Sequence, residues 1–171
     1  VGNEVVLFRH DKTFYHQPGL AFRVRDTQPL EDVAASVAEA AGYTVERVGM
    51  TLTLDALAVE NASGDPATFV KCLEVVKANS QQPLILISRS PASIEAALSA
   101  GARERPLVYA ADGENWEAMA ALAGRFNCPL AVRANGDLSE LATLADQLTR
   151  AGVKDLVLDP GSRDMPGTLA Q

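Results

Sequence analysis

Three short apolar runs recur at a fixed spacing, and that regularity limits the folds open to the chain more than any single motif does. Pro83-Leu84-Ile85-Leu86, Pro106-Leu107-Val108-Tyr109 and Pro129-Leu130-Ala131-Val132 begin 23 residues apart each time. Each is followed by a polar break and an amphipathic segment. Apolar residues on successive positions describe a strand buried on both faces, as in a parallel sheet covered by helices. A proline at the first residue of such a strand interrupts no ladder bond. About two dozen residues hold one strand, its crossover helix and two short loops. A fourth run, Leu156-Val157-Leu158, stops at Asp159-Pro160-Gly161. The pattern predicts an α/β chain of parallel βα repeats.

Ahead of the repeats, Val5-Val6-Leu7-Phe8 and Leu20-Ala21-Phe22-Arg23-Val24 read as two short strands around a polar, aromatic connector that ends in Pro18-Gly19. Residues 1–28 are therefore expected to form an N-terminal hairpin or connector, and residues 29–171 the βα-repeat domain. A helix is predicted from Pro29 to Ala41, with Val33, Val37 and Ala41 facing inwards and Gly42 suited to its C-terminal cap. Arg47-Val48-Gly49 and Ala56-Leu57-Ala58-Val59 are the next strand candidates, and the second fits the repeat better. Asp65-Pro66 and Ser90-Pro91 carry an N-cap followed by a first-turn proline. Phe69, Leu73 and Val76 form the inner stripe of one helix, and Trp116, Met119, Ala120 and Ala123 that of another. Asp137 starts the last helix, with Leu141, Leu144 and Leu148 inwards.

The count is about five parallel strands joined by right-handed crossovers. An eight-stranded barrel needs about 250 residues, and this chain has 171. It is expected to be an incomplete TIM barrel, with an open doubly wound sheet as the alternative. The last stretch, Met165 to Gln171, reads as a stop part-way round such a barrel, so a fragment is expected. An unclosed wall exposes a strand edge and an apolar face, which invites self-association.

A net charge of −7 repels phosphate backbones, which argues against a nucleic-acid partner. No apolar run reaches the roughly 20 residues that span a bilayer, so no membrane partner is expected. Cys72 and Cys128 lie far apart inside predicted elements, which fits buried free thiols in a reducing cytoplasm. They cannot supply the four thiolates of a [4Fe–4S] cluster.

In both architectures ligands gather at the carboxyl ends of the strands. The polar residues there are Asn61, Ser88, Arg89, Asp112, Asn115, Arg133, Asn135 and Asp159. They are a candidate cofactor-binding rim, though each has a plainer role. Asp112 can cap a helix, Arg89 and Arg133 can be solvated or pair with carboxylates, and Asp159 can shape its Pro-Gly turn. No catalytic or metal-binding residue is predicted. No Gly-x-Gly-x-x-Gly, Gly-x-x-x-x-Gly-Lys-Ser/Thr or Gly-x-Ser-x-Gly occurs, which leaves nucleotide cofactors and a hydrolase elbow without support. His10 and His16 sit in the connector, where packing explains them better than a metal does.

Val6-Leu7-Phe8-Arg9-His10-Asp11-Lys12-Thr13-Phe14-Tyr15 resembles the start of the central domain in the large (gamma) subunit of the corrinoid iron–sulfur protein, part of the acetyl-CoA decarbonylase/synthase (CO dehydrogenase/acetyl-CoA synthase) system. The resemblance continues through Asp55 to Asn61, Asp65-Pro66 with Phe69, Arg105 to Ala111 with Glu114-Asn115, and Leu158 to Gly161. It implies a TIM-barrel domain paired with a small subunit. It also implies a methyl carrier whose cobalamin takes a methyl group from methyltetrahydrofolate or a related methyl-pterin through a methyltransferase and passes it to acetyl-CoA synthase. A [4Fe–4S] cluster keeps the cobalt reduced. The cluster and corrinoid domains of that family are not in this sequence, so this chain alone is expected to bind neither group and to act as a scaffold. A stand-alone pterin-binding-type one-carbon transferase, using rim residues such as Asn61, Asp112, Asn135 and Asp159, and a non-catalytic flavodoxin-like binding module are the alternatives.

Overall fold

A computed structural model describes residues 4–8, 11–14, 18–47, 50–102, 105–163 and 167. His10, His16, Val48, Gly49, Met165 and Gln171 lie outside the described residues. The chain opens with a two-stranded antiparallel ribbon, β1 (Glu4–Phe8) against β2 (Asp11–Phe14). The second strand of that ribbon falls inside the stretch read as connector. The expected partner, β3 (Ala21–Arg25), instead lies parallel to β6 (Ala56–Glu60) and belongs to the main sheet. Between them come α1 (Leu30–Gly42) and a second antiparallel ribbon, β4 (Thr44–Arg47) with β5 (Met50–Thr53).

From β6 the chain alternates strictly: α2 (Pro66–Asn79), β7 (Leu84–Ile87), α3 (Pro91–Ser99), β8 (Leu107–Ala111), α4 (Trp116–Phe126), β9 (Leu130–Arg133), α5 (Leu138–Arg150) and β10 (Leu156–Asp159). The three repeated runs are β7, β8 and β9, and each proline stands one residue before its strand. Two of these prolines still join the ladder through their carbonyls: Leu57 N donates to Pro83 O at 2.9 Å and Val108 N to Pro129 O at 3.0 Å. This keeps the acceptor while the missing N–H faces no partner.

Six parallel strands stand in the order β3-β6-β7-β8-β9-β10, one more than the repeats alone predict. The order follows the chain without reversal. A doubly wound or flavodoxin-like sheet needs a switch point where the order turns back. Each helix packs on the next in sequence, α1 on α2 through to α5, so one helical layer covers one face. Chain-order strands with helices on one side make the wall of a barrel. β3 and β10 are its edges among the described residues, and they are not paired with each other.

The core lies between strands and helices. Leu57, Val59, Leu86, Val108, Leu130 and Val132 meet Val33, Phe69, Leu73, Ile94, Met119 and Leu148, all wholly buried. The predicted inner stripes of α2 and α5 are buried as read, with Cys72 added to that of α2. On α1, Ala40 rather than Ala41 completes the stripe, and Gly42 is the last helical residue with Tyr43 extended beyond it. Asp65 and Asp137 cap their helices, accepting from Thr68 N and Ser139 N, both at 2.8 Å. Trp116 packs at the margin of the core rather than inside it.

In β10, Val157 and Leu158 are 46% and 56% exposed although they point to opposite faces of the sheet. Sedimentation velocity of the chain is therefore expected to show concentration-dependent association, and a monomer across a wide range would contradict an adhesive edge. Phe69→Ala should cost about 3–5 kcal/mol in urea unfolding. Asp137→Ala should cost about 1 kcal/mol in the same assay.

Candidate functional site

The backbone repeats one bond at the carboxyl end of the wall. The N–H of the residue after a strand donates to a carbonyl of the next strand: Asp26 to Glu60 at 3.0 Å, Asn61 to Ile87 at 2.8 Å and Ser88 to Tyr109 at 2.9 Å. Farther round, Ala134 N donates to Asp159 O at 3.0 Å. The strand-end side chains are thereby brought to a common level. Asn61, Ser88, Arg89, Asp112 and Arg133 line one cleft of about 330 Å³ together with Glu60, Ile87, Tyr109 and Ala110. Arg89, Asp112, Arg133 and Asn135 line a second, of about 200 Å³, with Gly113, Glu114 and Glu140. Of the predicted rim, Asn115 and Asp159 line neither cleft.

Asn115 is used by its own loop. Its side-chain oxygen accepts from Asp112 N at 2.8 Å, and its amide donates to Arg89 O at 3.0 Å. Asp112 accepts from Glu114 N at 3.0 Å and pairs with Arg89 at 3.0 Å, while Arg89 also reaches Glu114 at 3.0 Å. The ion-pair reading of Arg89 therefore holds, whereas the helix-cap reading of Asp112 does not, since Asn115 occupies the N-cap position of α4.

Asp159 is held more tightly. Arg163 grips both carboxylate oxygens, at 3.0 and 2.7 Å, and Gly161 N donates at 2.9 Å. The Tyr109 hydroxyl donates to it as well and accepts from Arg163 at 3.0 Å. The bidentate guanidinium holds the Asp159 carboxyl well below the usual carboxylate range. Burial, and then the neighbouring carboxylate, push the Tyr109 phenol up. The turn beyond Asp159 passes so close to Ala134 that a Cβ on Gly161 would stand 2.0 Å from the Ala134 carbonyl oxygen, and its φ is +93°. Only glycine fits there.

On the other side, sequence reasoning missed Asp26. It is 3% exposed, and its carboxylate accepts from Asn61 Nδ2 at 2.8 Å, Ser63 N at 2.8 Å and Ser63 Oγ at 2.6 Å. Asn61 in turn accepts from Ser88 Oγ at 3.1 Å. Three donors on one carboxylate offset its desolvation and fix the Asn61 amide. Asp26 follows β3 as Asn61 follows β6, so the strand-end rule would have found it had β3 been placed in the wall. Tyr109 was hidden inside an apolar run, and a shift of register between Val108 and Ala111 bulges β8 next to it.

The donor set does not fit an iron–sulfur cluster or a corrinoid. Cys72 and Cys128 are buried, and burial pushes the Cys72 thiol up to about 11, with a smaller push from Asp26. Burial raises the Cys128 thiol too. Such thiols are poor thiolate ligands. Among the described residues no group of three or more His, Cys, Asp or Glu is placed to hold a metal ion. A corrin ring also far exceeds either cleft.

The Asp159–Arg163 pair sets a pH dependence. A carboxyl lowered in the folded state contributes stability above its unfolded value, near pH 4, and loses it as pH falls through the folded value. Arg163→Gln is expected to cost about 1 kcal/mol at neutral pH, since the guanidinium is largely exposed. The gap between wild type and variant should narrow as pH drops below about 4 in pH-dependent urea unfolding. A gap that widens in acid would contradict the assignment.

Among the described residues no helix is long and apolar enough to cross a membrane. Residues 1–169 match the family model described as CO dehydrogenase/acetyl-CoA synthase delta subunit. The chain is 44% identical over 170 residues to the corrinoid/iron-sulfur protein large subunit of Moorella thermoacetica, covering 99% of this chain and 38% of that protein. It is 38% identical over 162 residues to acetyl-CoA decarbonylase/synthase complex subunit gamma 2 of Methanosarcina mazei, covering 95% and 34% respectively. The chain thus spans little more than a third of these relatives. Among solved structures, the dihydropteroate synthase of Thermus thermophilus superposes with a TM-score of 0.65 at 21% identity, over 95% of this chain and 67% of that one. That likeness supports the barrel-wall fold. By the match along nearly its whole length, the chain belongs to the CO dehydrogenase/acetyl-CoA synthase subunit family that includes the corrinoid/iron-sulfur protein large subunits.

Proposed function

We propose that this chain is the barrel-forming part of a corrinoid iron–sulfur methyl-carrier subunit and serves it as a scaffold. The observation that carries the reading is the 44% identity across 99% of the chain to a protein named for both groups, of which the chain spans only 38%. The residues described here offer neither cluster thiolates nor a corrin-sized cavity, which fits a division of labour within one subunit. Other parts of the polypeptide would hold cobalamin and the [4Fe–4S] cluster, and the cofactor would supply the methyl-transfer chemistry. This part would hold them in place and dock the small subunit. Transfer would then run from a methyl-pterin methyltransferase to acetyl-CoA synthase, in the cytoplasm.

Edges at β3 and β10 that are unpaired among the described residues, and the exposed Val157 and Leu158, support a docking role, because apolar strand edges favour a partner. The rim of Asn61, Arg89, Asp112, Arg133 and Asn135 would face a ligand or a neighbouring domain, with Asn115 and Asp159 shaping it.

Co-expression of this chain with the small subunit of the same system tests the reading. A stable complex is expected to co-purify, and calorimetry on the chain alone is expected to show no binding of methyltetrahydrofolate or cobalamin. Absence of a complex, together with methyl transfer by the chain alone, would favour the one-carbon transferase instead.

A further inference from the structure

We infer that the larger strand-end cleft takes a small organic anion, a carboxylate or phosphate compound, whose oxyanion bonds to Arg133. This goes beyond the scaffold reading and does not depend on it. Arg133 lies on the wall shared by the two clefts. Its Nε is fully buried and has no hydrogen-bond partner among the described residues. A buried guanidinium N–H left without an acceptor is costly, and water or a bound anion is what satisfies such a group.

The neighbouring charges are already matched. Glu60 pairs with Arg25 at 3.0 Å and Arg23 at 3.5 Å, Asp112 with Arg89 at 3.0 Å, and Asp159 with Arg163 at 2.7 Å. Among the described residues Arg133 is the cation lining the cleft that has no carboxylate within ion-pair distance. Its planar fork suits a bidentate oxyanion.

Position within the clefts follows from the other linings. Glu140 lines the smaller cleft and would repel an anion there. The larger cleft offers Ile87, Tyr109 and Ala110 for an apolar body, while the Tyr109 hydroxyl is already committed to Asp159. Asn61 is held from both ends by Asp26 and Ser88, which gives the cleft a fixed polar wall. A volume of about 330 Å³ suits a small metabolite rather than a macrocycle.

Isothermal titration with inorganic phosphate and, separately, glutarate, each against sodium chloride of equal ionic strength, tests the inference. Saturable one-to-one binding of at least one anion is expected, and which one binds tells phosphate from carboxylate chemistry. Arg133→Gln should weaken it at least tenfold and Arg133→Lys less. Arg125→Gln, on the outer face of α4, should bind as wild type does. The anion should also raise the melting temperature of wild type but not of Arg133→Gln. If Arg133→Gln does not fold, the wild-type and Arg133→Lys titrations decide: equal affinity would overturn the inference. So would binding of neither anion, or equal binding by wild type and Arg133→Gln.

Discussion

The parallel ladder between consecutive strands is the interaction on which the rest of this structure depends. Because each strand pairs with the next in the wall, the same backbone bond recurs at the carboxyl end, from Asp26 N to Glu60 O and round to Ala134 N to Asp159 O. Residues 35 to 54 positions apart in sequence become hydrogen-bonded neighbours by this means: Asn61 with Asp26, Tyr109 with Asp159, Tyr109 with Arg163. The helices are consequences of the same order. Each covers the strands it connects, so one face is packed with Leu, Val, Phe and Met and the other is left to form the inside of a barrel.

Charge at the rim is arranged in local ion-paired sets. Glu60 is shared by Arg23 and Arg25, Arg89 is shared by Asp112 and Glu114, and Asp159 pairs with Arg163. Exposed pairs of this kind contribute little to stability one by one. Their larger effect is on shape, because they fix the loops that frame the clefts. Asp159 shows this best: its carboxylate also holds Gly161 N, and the turn closes against Ala134 at a distance only glycine permits. Arg133 stands apart from these sets, and its solitude gives the cleft a polarity that its acidic neighbours would otherwise cancel.

Much of the wall was legible in the sequence because periodicity and punctuation agreed. Proline-led runs at equal spacing named β7, β8 and β9, and the Asp-Pro and Ser-Pro pairs named the starts of α2 and α3. β3 was harder to place. Ala21-Phe22-Arg23-Val24-Arg25 alternates with arginine, as a half-exposed edge strand should, and nothing local says whether its partner is β1 or a strand 35 residues later. That ambiguity concealed Asp26. Strand-end position gathered Asn61, Arg89, Asp112, Arg133 and Asn135, which line the two clefts, but it could not tell a residue facing the cleft from one spent on its own turn, as Asn115 is. Arg163 lies past the last strand, where no period points to it. The family resemblance told which family the chain belongs to, a matter on which burial and spacing are silent.

The central claim is that six strands lie side by side, all parallel, in the order of the chain. Assignment of backbone nuclear Overhauser contacts tests it most directly. The account predicts contacts in the parallel pattern joining Leu57 to Leu84, Ile85 to Leu107, Val108 to Leu130 and Leu130 to Leu156. Short Hα–Hα contacts between any two of these strands would mean antiparallel pairing and would contradict it.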